Sequence, residues 1–435
     1  MALFTAEENE LLTRVGPGTP MGNVMRRYWL PCMLSEEIAD PDCPPVRTRL
    51  LGEDLVAFRD TSGKVGLLAE KCSHRRASLF YGRNEEDGLR CIYHGWKYDV
   101  EGNINETPAE PAASMIKHHV KHPAYATLEV NGLIWAYMGP KEKQPPVPDY
   151  PWFHLPRENM DPGYKAILEC SWLQCLEGDN DSIHSAYLHR RQRPGSTEAE
   201  TEASRRNQAE VSIEVSKWGV RAATLYPMGD GTTFARTNTF SMPCFGNTPL
   251  GRGDVNDGMR IHFQVPRDDY SNIRFSLEVW WNKPATGGEF RNREEVGPGF
   301  HNIMNRENDW MIDRAKQRSG EVYAGINAGN HTQDACVTET MGSITDRTQE
   351  HLGVTDTHIV EMRKFYLQAI KDVQEGRDPA GIYFDPEQNK IGNWQHMITA
   401  VIPAGSDWRD VMPKVTDWRE YVAALKEEAP TTVTA

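Results

Sequence analysis

Hydrophobic positions along the chain recur with two periods. From about Arg47 they come in short blocks, and Leu55-Val56-Ala57-Phe58 and Val65-Gly66-Leu67-Leu68 flank Asp60-Thr61-Ser62-Gly63. Turn-forming residues between two such blocks predict a β-hairpin. A second hairpin is predicted where Tyr125–Val130 and Leu133–Met138 flank Asn131-Gly132, a pair that accepts positive φ. Gly139-Pro140 and then Pro145, Pro146, Pro148, Pro151 and Pro156 break any regular element, so a domain boundary is placed near residue 150. Beyond it Val211/Ile213/Val215, Met259/Ile261/Phe263/Val265 and Ile273/Phe275/Leu277/Val279/Trp281 alternate with mostly polar residues. That period predicts antiparallel strands with one buried and one solvated face. Glycine-bearing loops are expected from Gly246 to Gly258 and from Pro284 to Gly299. The period changes to 3.6 at His358–Glu375, where Ile359, Met362, Tyr366, Ala369, Ile370 and Val373 share one face and Gly376 is the stop. At the other end, Thr5-x-x-Glu8 reads as a capping box for a short helix through Leu11, Leu12 and Val15, closed by Gly16. The expected fold class is α+β, with a small all-β domain (1–150) followed by a domain (151–435) whose antiparallel sheet is covered by helices on one side.

Composition narrows the functional classes. The chain has 435 residues, 39% hydrophobic and 25% charged, which suits two globular domains rather than a disordered chain or a fibre. A net charge of −14 argues against a nucleic-acid partner. The acidic start MALFTAEENELL has no basic region ahead of an apolar core, and no apolar run reaches membrane-spanning length. A soluble, cytoplasmic protein is therefore expected. Eight cysteines are too sparse for a disulfide scaffold, and only Cys72 and Cys91 have ligand spacing. Cys32, Cys43, Cys170, Cys175, Cys244 and Cys336 are expected to be buried thiols.

Chemistry concentrates in Lys71–Tyr98, which holds Cys72-x-His74, sixteen residues, then Cys91-x-x-His94. Two short loops, each giving one thiolate and one imidazole, match a Rieske centre, in which cysteines hold one iron and histidines the other. A structural zinc site is the competing reading, although zinc sites usually bring like ligands in pairs. Further on, LEGDNDSIHSAYLHR contains Asp181, His184 and His189. Asp181 and His184 would be neighbours on a helix. His184 and His189 would stand about 140° apart, so a π-bulge or a helix ending near Tyr187 is needed to bring them together. Two histidines and a distant carboxylate with open positions form the facial triad of non-haem iron oxygenases.

The two motifs together resemble the catalytic α subunit of Rieske non-haem iron aromatic-ring oxygenases. LEGDNDSIHSAYLH and ETMGSITDRTQEHLG look like the phthalate 4,5-dioxygenase branch. The resemblance implies that Cys72 and Cys91 bind one cluster iron and His74 and His94 the other. It implies that His184 and His189 bind a mononuclear iron with Asp334 as third ligand, Asp346 being the runner-up. Asp181 corresponds to a carboxylate that links a cluster histidine to an iron-ligand histidine across a subunit interface, and Arg236 to a substrate-carboxylate arginine. Arg205 and Arg206 are candidates for a second carboxylate contact. The implied fold of the second domain is the helix-grip, lipid-transfer-like type. No G-x-G-x-x-G follows a strand, so electrons should come from a separate NAD(P)H-dependent reductase, by resemblance one with flavin and a 2Fe-2S centre. The implied activity is oxygenation of an aromatic carboxylate with O2, by dihydroxylation, monohydroxylation or O-demethylation, in an α-only trimer or stacked trimers. Two readings from other classes stay open, a Rieske electron carrier with a non-catalytic second domain and a zinc-stabilised binding protein.

Overall fold

The computed structural model describes residues 4–161, 163–191, 208–250, 258–288 and 292–412. It divides into two compact units: one comprises residues 14–145 and 265–269, the other everything else. The division falls within a few residues of the proline-marked boundary, with two exchanges. The N-terminal helix belongs with the second unit, because buried Asn9 donates to the Thr345 carbonyl at 3.0 Å and accepts from Arg347 at 3.0 Å. The Thr5–Glu8 capping box forms, but the helix Ala6–Thr13 ends before Gly16. Residues 265–269 join the first unit through backbone bonds from Leu51 to Pro266 and from Gly52 to Arg267.

The first unit is mainly β, with two short helices, Pro20–Met25 and Ile116–His119. Strands Trp29–Leu34 (β1), Val46–Leu50 (β2), Glu53–Arg59 (β3), Val65–Ala69 (β4), Arg83–Glu85 (β5), Gly88–Arg90 (β6), Lys97–Tyr98 (β7), Ile104–Glu106 (β8), Ala126–Val130 (β9) and Leu133–Tyr137 (β10) make three small sheets, β1-β10-β9, β2-β3-β4 and β5-β6-β7-β8. Both predicted hairpins are present. In the second, Val130 pairs with Leu133 across Asn131 (φ 55°) and Gly132 (φ 77°), the positive angles its two-residue turn demands. One core cluster joins Val56, Phe58, Leu68, Leu79, Leu89, Trp96, Tyr98 and Ile104 to Cys72 and Cys91. Both ligand-spaced thiols are thus seated in apolar packing.

The second unit is built on an eight-stranded antiparallel sheet. Its strands are Tyr164–Leu168 (β11), Glu210–Val215 (β12), Gly219–Pro227 (β13), Thr232–Ser241 (β14), Phe245–Pro249 (β15), Gly258–Pro266 (β16), Asn272–Trp280 (β17) and Thr399–Pro403 (β18). Their order is β11-β17-β16-β15-β14-β13-β12, with β18 paired to β14. Part of the expected Gly246–Gly258 loop is strand β15, because Gly246 and Asn247 pair with both β14 and β16; residues 251–257 lie outside those described.

Alternation in β16 and β17 is as predicted, but its meaning differs. Both faces are buried, and neither is solvated. Apolar positions such as Phe263 pack on Trp152 and Phe245. The polar positions Gln264 and Arg274 lie under two helices, Trp172–Asn180 and Asn330–Thr340, where they contact Asp179 and His331. The helix Thr357–Gln374 covers the same face further along, where Tyr366 packs on Phe240, and Gly376 (φ 81°) follows it.

The helices are pinned by buried charge. Glu177 accepts from Arg363 at 2.7 Å and from Arg347 at 2.9 Å, and Arg363 also binds Glu350 at 2.6 Å. Arg347 is wholly buried. Glu177→Gln would leave two arginines short of a counter-charge, and losing one partner of a buried pair costs about 3–5 kcal/mol. Urea unfolding of the variant should show a midpoint lowered accordingly with an unchanged m-value.

Candidate metal centres

The two loops of the first unit are built alike. Cys72 N–H donates to Ala77 O (2.8 Å) and Arg76 N–H to Cys72 O (2.9 Å); Cys91 N–H donates to Trp96 O (2.8 Å) and Gly95 N–H to Cys91 O (3.0 Å). The fourth residue after each cysteine is left-handed, Arg76 at φ 64° and Gly95 at φ 75°. At Gly95 a Cβ would stand 2.6 Å from Pro108 Cγ, so only glycine fits, whereas Arg76 tolerates the strain. The loops bring the rings of His74 and His94 to 4.5 Å between centroids. His74 stacks on Trp96 at 4.6 Å and 4°, and its Nδ1 is buried with no hydrogen-bond partner. Cys72 Sγ lies 3.0 Å from Tyr98 Oη. A hydrogen bond from Cys91, opposed by burial and aided by Tyr98, lowers the pKa of the Cys72 thiol. Behind them buried His122 spans Ser73 Oγ (2.8 Å) and Ala69 O (2.8 Å), fixing the first loop to β4. Two converging thiols and two convergent imidazoles, one with an orphaned nitrogen, fit a [2Fe-2S] group held by two cysteines and two histidines.

In the second unit the motif does not continue the helix. Trp172–Asn180 ends at Asp181, its C-cap, and His184 begins a short 3-10 turn, His184–Ala186. Asp181 and His184 are therefore not helical neighbours. Leaving the helix overcomes the 140° obstacle, because the ring nitrogens His184 Nε2 and His189 Nε2 come to 3.2 Å. Asp334 arrives from the helix Asn330–Thr340, with Oδ1 at 3.6 Å from His184 Nε2 and 3.2 Å from His189 Nε2. Two donors about 2.1 Å from one ion and at right angles to each other would be about 3.0 Å apart, so the trio fits a single metal ion. Burial alone would favour a neutral Asp334, but His189, His184 and Arg274 outweigh it and hold the carboxyl well below its usual range. Burial likewise opposes protonation of His184, yet Asp181 and Asp334 raise its pKa. The site is tuned to hold positive charge where a cation would sit.

The outward-facing ring nitrogens are also oriented. His189 Nδ1 is 2.8 Å from Gln333 Oε1, and Gln333 Nε2 donates to Ile326 O at 2.8 Å. His184 Nδ1 is 3.7 Å from Asp181 Oδ2, a charge contact beyond hydrogen-bond length, while Asp181 Oδ1 accepts from Ile183 N–H at 2.7 Å. Arg236 lies on β14, with Nη1 3.2 Å from Ser182 Oγ and 3.4 Å from Asn238 Oδ1, close enough to His184 to oppose its protonation. Asp346 caps a turn by accepting from Thr348 N–H at 3.1 Å, the local role that its runner-up status left open. Arg205 and Arg206 lie outside the described residues. Sequence reading missed Gln333, Asp179 and Arg274. A charged residue between Ile273 and Phe275 was the available signal for the last, since a mid-strand arginine needs an interior partner.

Comparisons with known proteins bear on the whole chain. Residues 28–124 match the family model described as Rieske [2Fe-2S] domain, and residues 136–434 match LigXa C-terminal domain like. The chain is 38% identical to the phthalate 4,5-dioxygenase oxygenase subunit of Pseudomonas putida, across 98% of this chain and 97% of that one. The chain belongs to the Rieske non-haem iron oxygenases. It is 45% identical to the tert-butanol monooxygenase / tert-amyl alcohol desaturase oxygenase subunit of Aquincola tertiaricarbonis, over 89% of this chain and 80% of that one. The solved structure of Pseudomonas putida CBB5 NdmB shares the fold, with a TM-score of 0.58 at 21% identity, covering 85% of this chain and 96% of that one. This oxygenase subunit therefore works with a Rieske [2Fe-2S] cluster, a mononuclear iron, O2 and a separate reductase. No described helix is long and apolar enough to cross a membrane.

The twin loops give a paired test. Gly95→Ala should lower cluster content per chain, read as visible absorbance against protein, because backbone and Pro108 both oppose it. Arg76→Gly should keep the cluster and gain up to about 1 kcal/mol by releasing left-handed strain.

Proposed function

We propose that the enzyme oxygenates an aryl carboxylate, phthalate-like or benzoate-like, at an iron held by His184, His189 and Asp334, with electrons arriving from a cluster held by Cys72, Cys91, His74 and His94. The convergence of the two Nε2 atoms and Asp334 Oδ1 carries the reading. When bound, the iron supplies O2 activation and the cluster supplies single electrons. The protein's part is to bind, orient and exclude water. Gln333 fixes the ring of His189, and Asp181 faces that of His184. Arg236, with Nη1 toward Ser182 and Asn238, brings a guanidinium close to His184, a group suited to a substrate carboxylate.

Asp181 is the group we assign to electron passage. One of its oxygens accepts from Ile183 N–H and the other faces His184, and a carboxylate oxygen has a second lone pair with which to accept from a cluster histidine of a neighbouring chain. This requires a closed oligomer, for which a homotrimer, single or stacked, is the arrangement we propose. Asp181→Asn should keep both metals and a reducible cluster while losing most product. Full turnover in that variant would remove Asp181 from the route.

A second reading has its own support. The 45% identity to an oxygenase subunit named for tert-butanol favours hydroxylation at a saturated carbon of a small alcohol. A panel of aryl carboxylates and tertiary alcohols, incubated with reductase and read by product mass, separates the two. Turnover of alcohols and of no acid would overturn the carboxylate reading.

Two sets of substitutions test the residues. His184→Ala, His189→Ala or Asp334→Ala should each remove the mononuclear iron and oxygenation while leaving the cluster's visible spectrum intact. Arg236→Ala should lower kcat/KM for a carboxylate about ten- to hundredfold, the worth of one charge-assisted contact, with Arg236→Lys recovering only part.

A further inference from the structure

Behind Asp334 lies a second arginine that the activity so far leaves without a role. Arg274 sits mid-strand in β17, wholly buried, with its backbone locked against Ala166 of β11. Its Nη2 donates to Asp179 Oδ1 at 2.9 Å, and Gln264 holds the other oxygen of Asp179 at 2.5 Å. Its Nη1 stands 3.2 Å from His331 Nδ1 and 3.7 Å from Asp334 Oδ2. The two oxygens of Asp334 thus face opposite ways. Oδ1 faces the two histidine nitrogens, and Oδ2 faces a guanidinium that neighbouring strands hold in place.

We propose that Arg274 is a positioning residue that restrains Asp334 to bind iron through Oδ1 alone, keeping a coordination position open for O2 or substrate. The inference rests on the proposed ligand set. A carboxylate left to itself can bind an ion through both oxygens and fill one more position. Here Oδ2 is drawn toward a fixed, wholly buried cation, where the attraction is screened less than in bulk water. Asp179 neutralises the arginine, and the Gln264 contact keeps that aspartate from swinging toward the metal side. A lysine could not serve equally, because one ammonium cannot hold Asp179, His331 and Asp334 from fixed directions.

The test pairs Arg274→Lys with the double variant Asp179→Asn/Arg274→Gln, which removes both charges and leaves no stranded aspartate. The double variant removes a cation beside the site and Arg274→Lys only displaces it, so neither should weaken iron binding. We expect chelator competition to give an iron affinity equal to the parent's or tighter. Turnover should fall about ten- to hundredfold, the range seen when outer partners of metal ligands are lost. The paramagnetic resonance signal of the ferrous nitric-oxide adduct should change shape. A merely structural role predicts the opposite pattern, with weaker iron binding and an unshifted signal in the iron-loaded fraction, and that result overturns the proposal. Should either variant fail to fold, a crystal structure of the iron-loaded parent decides. Asp334 bound through both oxygens overturns the proposal, and bound through Oδ1 supports it. Failure of the ligand set itself is distinguishable, because Asp334→Ala would then keep its iron.

Discussion

A polar sheet face can be buried only if the charges on it meet partners, as the wholly buried Arg274 meets Asp179 in the second unit. Arg274, Gln264 and Asn238 point into the space under the helices Trp172–Asn180 and Asn330–Thr340, where all three are buried. Their partners are Asp179, with its carbonyl as well as its carboxylate, and the turn that follows it. Desolvating an unpaired charge costs several kcal/mol, so the polar side of the sheet dictates where the helices sit. The turn after the first helix carries His184 and His189, and the second helix carries Asp334. The geometry of the His184, His189 and Asp334 trio follows from electrostatic satisfaction, with the apolar face supplying bulk stability through Trp152, Phe245 and Phe263.

The first unit meets a different constraint. Its strands are short and its ligands come from loops, which ordinarily vary most in position. Rigidity comes from repeating one loop conformation twice, each closed by two backbone bonds to its cysteine, and from seating Cys72 and Cys91 in the core beside Trp96 and Tyr98. Burial of the cysteines and outward placement of His94, which is only partly buried, put the imidazole side nearer to solvent. Such an arrangement suits a cluster that must pass electrons outward.

Much of this was legible because the relevant signals are local. Asn131-Gly132, the Thr5–Glu8 box, the face of His358–Glu375 and both Cys-His pairs each depend on a few neighbouring residues, and each appears in the structure near where the sequence places it. What failed was the inference of environment. Period-two alternation in β16 and β17 states that two faces differ, and it cannot state whether the polar one meets water or an enclosed site. Arg274 and Gln264 therefore read as solvated. Long-range pairs such as Asn9 with Arg347, or Leu51 with Pro266, leave no periodic trace, and so the exchange of short segments between the units was invisible.

The break at Asp181 shows how weak local propensity can serve a site. Gly178, Asp179, Asn180 and Asp181 are all poor helix formers, the last three because their side chains compete for nearby backbone groups. Asn180 bonds back to Leu176 O at 3.0 Å, and Asp181 accepts from Ile183 N–H at 2.7 Å, so the sequence stops its own helix. A continuous helix would have kept His184 and His189 apart, whereas the turn that replaces it bonds Leu188 N–H to His184 O at 2.8 Å and folds the second histidine back. Poor helical propensity over four residues is small in energy, on the order of 2 kcal/mol in total. It decides the geometry here because Asp179 is held by Arg274, Gln264 and Asn238, and moving the helix end would break contacts to all three.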